Sequence, residues 1–186
     1  MKAIIKLFGL FLVLMAFQPV LTAQSQPQLS QFTEISYRVP YVSARPIQGS
    51  SNQITGEIEY DDTTGVIEEL EFEVFLNSFL DDFNFSNTTF IAWLGNAFRF
   101  PEMSFESQRI EQDGDKLKIN GTLYFRGEYR SVLINATQSE NESIIQLDGD
   151  FTVYPRDYIS LVSPRYRLPP RVEFQFTMNF NKQVEG

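Results

Sequence analysis

The sequence predicts an all-β fold, an antiparallel barrel of about eight strands with a short helix near its mouth, and three observations carry that prediction. Apolar and polar residues alternate with a period of two through most of the chain. Clusters of Asp, Asn and Gly punctuate the alternating runs. One stretch alone departs from the alternation and takes helical spacing.

Residues 1–23 stand apart from this pattern. Lys2 and Lys6 supply positive charge, Ala3 to Phe17 is apolar apart from Lys6 and Gly9, and Pro19 precedes the small-residue stretch Leu21-Thr22-Ala23. This layout predicts a secretory signal peptide cleaved after Ala23. The apolar run falls short of the ~20 residues a spanning helix needs, so no transmembrane segment is expected after cleavage. The polar stretch 24–31 is expected to be a flexible leader, and 32–186 a single barrel domain.

Within that domain the clearest strands are Glu68 to Leu76, Lys116 to Phe125 and Arg171 to Phe180. In the first, Leu70, Phe72, Val74 and Leu76 share a face opposite Glu69, Glu71 and Glu73. In the second, Leu117, Ile119, Leu123 and Phe125 oppose Lys118, Asn120, Thr122 and Tyr124. In the third, Val172, Phe174, Phe176, Met178 and Phe180 form one row. Successive strand side chains point to opposite faces, so each run buries one face and wets the other. Weaker alternation marks Ile35–Val42, Ile54–Tyr60, Met103–Gln108, Arg130–Ala136, Ile144–Leu147 and Phe151–Tyr154. Hairpin turns are expected at Asp61–Gly65, Gln112–Asp115, Gly127-Glu128 and Asp148-Gly149-Asp150. The helix falls between Asn87, its expected N-cap, and a Gly95-Asn96 stop, with Phe90, Trp93 and Leu94 on one face. Two turns do not stand alone in water, so that face must lie on the open end of the barrel. Ser163 to Pro170, with three prolines, reads as a loop before the last strand.

Composition removes several functions. The chain has 24 acidic and 15 basic residues, no His and no Cys. Triads with His, imidazole or thiolate metal sites and disulfides are therefore excluded. Cleavage removes two lysines and takes the net charge from −9 to −11, which argues against a nucleic-acid partner. Acidic side chains do adjoin at Asp81-Asp82 and recur at Asp113 and Asp148, but nothing places two of them about a cleft. The Asp-Gly-Asp stretches lack the twelfth-position Glu of a calcium loop. The expectation is a protein that is not an enzyme and holds neither metal nor cofactor. A large disulfide-free acidic chain with a signal peptide suits the periplasm or secretion.

The 18 Phe, 8 Tyr and single Trp leave two readings open. The Phe rows can pack as a solid core, making the barrel a structural or protein-interaction module. Alternatively, they can line an apolar pocket, since eight closed strands enclose room for a small ligand.

Four motifs bear on this choice. Gly56-Glu57-Ile58-Glu59-Tyr60-Asp61, Phe100-Pro101-Glu102-Met103-Ser104-Phe105-Glu106-Ser107, Ile119 to Gly127 and Arg156-Asp157-Tyr158-Ile159 follow one another in this order. Together they resemble the YceI-like family of periplasmic, lipocalin-like, polyisoprenoid-binding β-barrels. The resemblance implies a lipocalin-like barrel and an apolar chain ligand such as a polyisoprenoid, quinone or fatty-acyl group. The pocket residues are then Phe72, Val74, Leu76, Phe105, Leu123, Phe125, Phe174 and Phe176 on the walls. Phe90, Trp93, Leu94 and Phe98 close the mouth, with Arg99, Arg126 and Arg130 as candidates for holding a polar head group. The family's R-D-x-H-L segment corresponds here to Asn84 to Leu94, which contains no Arg, Asp or His. A head-group contact made there in relatives is thus not implied for this chain. Ile159 stands where the family commonly has Gly.

Overall fold

Six strands of ten residues or more give the chain enough alternating length to build a wall that closes on itself. The structure is a computed structural model that describes residues 26–40, 46–81, 88–159 and 168–182. In chain order the strands are β1 (Gln28–Leu29), β2 (Glu34–Val39), β3 (Ile47–Ser51), β4 (Ile54–Asp61), β5 (Val66–Phe75) and β6 (Leu80–Asp81). After helix α1 (Phe90–Gly95) come β7 (Glu102–Asp113), β8 (Lys116–Phe125), β9 (Glu128–Glu140) and β10 (Ile144–Val153). Helix α2 (Pro155–Tyr158) precedes β11 (Val172–Asn181).

Every pairing is antiparallel. From β4 and β5 the sheet runs through β7, β8, β9, β10 and β11, and β11 pairs with β2 to close the wall. Closure registers Phe174 against Tyr37 and Phe176 against Ile35. β3 and β4 follow each other as two halves of one wall strand, as do β5 and β6 across the 3-10 turn Leu76–Ser78. The barrel therefore has eight strand positions. Register shifts at Glu59/Tyr60 and at Ser107/Arg109 are bulges, which bend the wall locally.

The predicted alternation is realised as burial. Leu117, Ile119, Leu123 and Phe125 are buried while Lys116, Lys118 and Asn120 are exposed, and β11 alternates from Val172 to Phe180 in the same way. Each buried large apolar side chain contributes roughly 1.5–3 kcal/mol. The two ends of the barrel differ. At the base, short turns join β4 to β5, β7 to β8 and β9 to β10, with Gly65 and Gly114 at positive φ. At the mouth the chain leaves β2, β6 and β10 and re-enters β3, β7 and β11 after longer connections. The exception there is the two-residue β8–β9 turn, where Arg126 (φ 56°) and Gly127 (φ 82°) take the left-handed pair that matches strand twist.

Three expectations are corrected. Asp148-Gly149-Asp150 is not a turn: β10 runs through it unbroken, and the turn lies at Asn141–Ser143, where the Asn141 side chain accepts from the backbone N–H groups of Ser143 and Ile144. The β8–β9 turn is centred on Arg126-Gly127, one residue earlier than expected. The leader expected to be flexible over 24–31 is tied down at Gln28–Leu29. There β1 pairs with β11 and β4, because β2 begins only at Glu34 and leaves those ladder positions unfilled. The signal-peptide reading of 1–23 and most of the Pro-rich loop fall outside the described residues.

Candidate functional site

The interior of the barrel is the site the fold builds. Its walls are aromatic, and glycines decide how the rings lie. Gly149 and Gly121 occupy inward positions of β10 and β8. A methyl built at Gly149 meets Cζ of Phe176 at 2.2 Å, and one at Gly121 meets Cζ of Phe105 at 2.4 Å. Each ring thus lies flat over a neighbouring strand that has no side chain there.

From the mouth inward the rings form a continuous column. Trp93 tilts against Phe90 at 5.7 Å between centroids, Phe90 stacks on Tyr37 at 6.5 Å and Tyr37 tilts against Phe174 at 6.2 Å. Phe174 stacks on Phe151 at 4.9 Å, and Phe151 meets Phe72 at 6.1 Å. Phe72 also stacks on Phe105 at 5.4 Å and reaches Phe176 at 5.8 Å. Since β5 and β10 face each other across the barrel, Phe72 is the ring that spans its middle.

Two short helices cover the mouth. In α1 the N-cap is Thr89, whose Oγ1 accepts from the Ala92 N–H at 3.3 Å; the expected cap Asn87 lies outside the described residues. Asp81 Oδ2 accepts from the Phe90 N–H at 2.7 Å and also from the Tyr37 hydroxyl. Burial, reinforced by that bond to Asp81, holds the Tyr37 phenol far above its usual value. Asn96, left-handed at φ 56°, ends the helix as expected. Gly95 lets the helix sit on the wall, because a methyl there would meet Leu76 Cδ1 at 2.3 Å and Phe125 at 3.1 Å. In α2, Tyr158 is buried edge-on against Phe125 at 5.4 Å, and burial pushes its phenol up to about 12.

Both helices are held by the β8–β9 hairpin. Arg126 Nη1 donates to the Leu94 carbonyl at 2.8 Å, near the C-terminus of α1, and burial lowers its guanidinium from the ordinary value. Arg130 Nε donates to the Asp157 carbonyl of α2 at 3.0 Å while its guanidinium lies 5.9 Å from the Tyr158 ring. At the base, Gln112 Nε2 donates to Gln138 Oε1 at 3.2 Å and to the carbonyl of Gly114, while Gln138 Nε2 donates to the carbonyl of Gly65 at 3.1 Å. That end is laced with hydrogen bonds.

Of the sequence-predicted residues, Phe72, Val74, Leu76, Phe105, Leu123, Phe125, Phe174 and Phe176 are buried inside the barrel, and Phe90 and Leu94 are buried beneath the mouth. Trp93 is half-buried against the same core. Phe98 does not belong with them: it is fully exposed on the turn after α1, because the left-handed Asn96 swings the chain out of the helix before Phe98 is reached. Arg126 and Arg130 bind helix carbonyls and are not free for a head group, whereas Arg99 lies exposed over the Phe100 ring at 5.2 Å. The candidate acids do not assemble: Asp81 binds Tyr37 and Phe90, while Asp148 binds Thr177 and Gln146 on the outer face. Among the described residues no group of His, Cys, Asp or Glu is placed to hold a metal. Tyr37, Phe151, Gly121 and Gly149 were not predicted as site residues. The signal for Tyr37 is the Ile35-Tyr37-Val39 alternation, and for the glycines it is their place in the inward row of an alternating strand.

Grooves lined by described residues run over the outer wall. One of about 670 Å³ runs over β4, β5, β7 and β8, with Glu57, Glu71, Glu73 and Glu106 beside Leu29, Tyr124 and Tyr129 on its sides.

Known structures share this barrel. BcnA of Burkholderia cenocepacia superposes with a TM-score of 0.68 at 14% identity, over 82% of this chain and 99% of that one. The YceI protein of Campylobacter jejuni gives 0.60 at 17% identity, over 78% and 91%. A polyisoprenoid binding domain from Saccharophagus degradans, implicated in plant cell wall breakdown, gives 0.60 at 12% identity, over 83% and 97%. At such identities the likeness is one of fold. No curated protein matches the chain. The family model for the YceI-like domain matches residues 25–182, the whole of the barrel just described, and the chain belongs to that family.

Proposed function

We propose that the protein binds and carries an apolar chain, of polyisoprenoid, quinone or fatty-acyl type, inside the barrel and works without catalysis in the periplasm or outside the cell. The observation that carries this reading is the continuous aromatic column from Trp93 to Phe72 within a wall whose glycines lay Phe105 and Phe176 flat. Family membership and the polyisoprenoid-binding neighbour support it. Location outside the cytoplasm is supported by the character of residues 1–23.

The driving force is removal of the chain from water, roughly 0.8 kcal/mol for each buried CH2. The ligand enters at the mouth, follows the ring column and passes the middle once Phe72 turns toward its own wall. Aromatic faces suit the flat alkenes of an isoprenoid or quinone and make few demands on head-group chemistry. A second reading has its own observation: because Phe72 touches Phe151 and Phe176 across the interior, a permanently filled barrel would act through its outer surface.

Native mass spectrometry of the protein purified gently from its host, followed by organic extraction, decides between the two. The carrier reading expects a stoichiometric apolar molecule. A bare mass, with no uptake of added isoprenoids, quinones or fatty acids, would refute it.

A further inference from the structure

The mouth of the barrel differs from the rest of the surface in both charge and apolarity. Of the exposed large apolar side chains among the described residues, Phe75, Leu80, Phe98, Tyr129 and Tyr154 stand at or beside the mouth, while Phe32, Val66 and Leu133 lie elsewhere. Charge is sorted along the same axis. Among the described residues, the mouth connections and the strand ends adjoining them carry Arg38, Arg99, Arg126, Arg130, Arg156 and Arg171 against five carboxylates. The remaining described surface carries seventeen carboxylates against Arg109, Lys116, Lys118 and Lys182. Three of the mouth carboxylates are already engaged: Glu173 with Arg171 and Arg38, Glu128 with Arg130, and Asp81 with Tyr37 and the Phe90 N–H. Arg99 and Arg156 have no carboxylate partner among the described residues.

From this arrangement the structure assigns the mouth rim as a docking surface for an anionic lipid bilayer. The sorted charge turns the arginine-bearing rim toward a negative surface and the acidic body away from it. Phe98, Leu80 and Tyr154 then enter the interfacial layer, where aromatic and Leu side chains gain from leaving water, and Arg99 and Arg156 meet lipid phosphates. A second copy or a protein partner would satisfy the apolar groups as well. The bilayer is favoured because the exposed groups ring the opening, so that a docked barrel faces its cargo's own solvent. The docking draws its purpose from the carrier reading, but its measurement is independent of it.

The test is flotation of the protein with vesicles of phosphatidylcholine alone and of phosphatidylcholine with about one-third phosphatidylglycerol. The protein floats with the anionic vesicles at low ionic strength, and raised salt weakens the binding. Phe98→Ser with Leu80→Ser, and separately Arg99→Glu with Arg156→Glu, each lower the bound fraction about tenfold. Lys116→Glu with Lys118→Glu, at the base, leaves it unchanged. All these side chains are exposed, and unchanged thermal unfolding shows that the variants are folded. The proposal is overturned if the protein ignores anionic vesicles at low salt, or if the rim variants float like the parent. It is also overturned if those variants instead abolish a concentration-dependent self-association without any vesicle binding. A protein that floats but yields no apolar molecule on extraction keeps the docking and loses the carrier reading. One that takes up ligand from solution yet ignores vesicles does the reverse.

Discussion

Gly149→Ala puts the wall-glycine argument at risk. Residue 149 lies mid-strand in β10, directly opposite Phe176 in register, where strand propensity alone favours Ala over Gly. The structure predicts the opposite outcome. The new methyl would stand 2.2 Å from Cζ and 2.7 and 2.8 Å from the two Cε atoms of Phe176. Carbon atoms pack at about 3.5–4.0 Å, so the ring must retreat by roughly 1.5 Å. The wall lies on one side of it, and the Phe72 ring, 5.8 Å away, lies toward the axis. The ring therefore moves inward against Phe72. Such overpacking costs about 1–3 kcal/mol, which for a chain of this size lowers Tm by roughly 2–12 °C in calorimetry or thermal circular dichroism. Adding Phe176→Leu removes the ring that collides, so the double variant loses less than the two single losses combined, a coupling of at least about 0.5 kcal/mol. The same inward shift narrows the axis and reduces uptake of a chain ligand. An unchanged or raised Tm for Gly149→Ala, or strict additivity with Phe176→Leu, would refute the reasoning.

Arg126→Met removes the donor to the Leu94 carbonyl and leaves that helix end unsupported. Bonds from charged donors contribute about 1.5–3 kcal/mol, and the partial exposure of Arg126 places the loss near the lower figure. Hydrogen exchange should quicken over Ala92 to Ala97 with little change in β8. The Glu140 carboxyl is held below its usual 4.5 by the Lys182 ammonium and the Tyr60 hydroxyl. Its stabilisation is therefore complete above that value and lost as pH falls through the lower folded-state pKa, and Glu140→Gln should flatten the acid limb of a Tm-versus-pH curve. Tyr37 shows the reverse sign. With the folded phenol raised above 10, its stabilisation holds below pH 10 and is lost as pH climbs beyond it, so Tyr37→Phe should remove part of the alkaline limb and cost about 1 kcal/mol at neutral pH.

The walls were legible in the sequence because alternation reports burial directly. Val172 to Phe180 and Leu117 to Phe125 needed no further information. Asp148-Gly149-Asp150 was misread because the same three residues serve a turn or a wall. What selects the wall is Phe176 on another strand, and no local pattern contains a cross-strand ring. Phe98 failed for a related reason. Its spacing from Leu94 continues the helical row, but the left-handed turn at Asn96 intervenes, and the Gly95-Asn96 stop already signalled it. The functions of Arg126 and Arg130 depend on carbonyls 32 and 27 residues away in the chain, and such bonds leave no trace in periodicity.

On the carrier reading, those two arginines also decide which way a ligand enters. Opening the base would require separating the Gln112–Gln138 bond and their bonds to Gly65 and Gly114, which tie the β4–β5 and β7–β8 turns to β9. That amounts to parting the base ends of β7, β8 and β9, whose two ladders hold nine and ten residue pairs. Opening the mouth disturbs no ladder. It requires α1 and α2, of six and four residues, to lift from Leu76 and Phe125, and helices so short have little stability of their own. Their buried apolar faces hold them, together with one bond from Arg126, one from Arg130 and the Asp81 contacts. Since Arg126 and Arg130 belong to one hairpin, a shift of the Arg126-Gly127 turn releases both helices together. Local opening follows the weakest cooperative unit. Access is therefore through the mouth, at the end where the exposed arginines and aromatics already face outward.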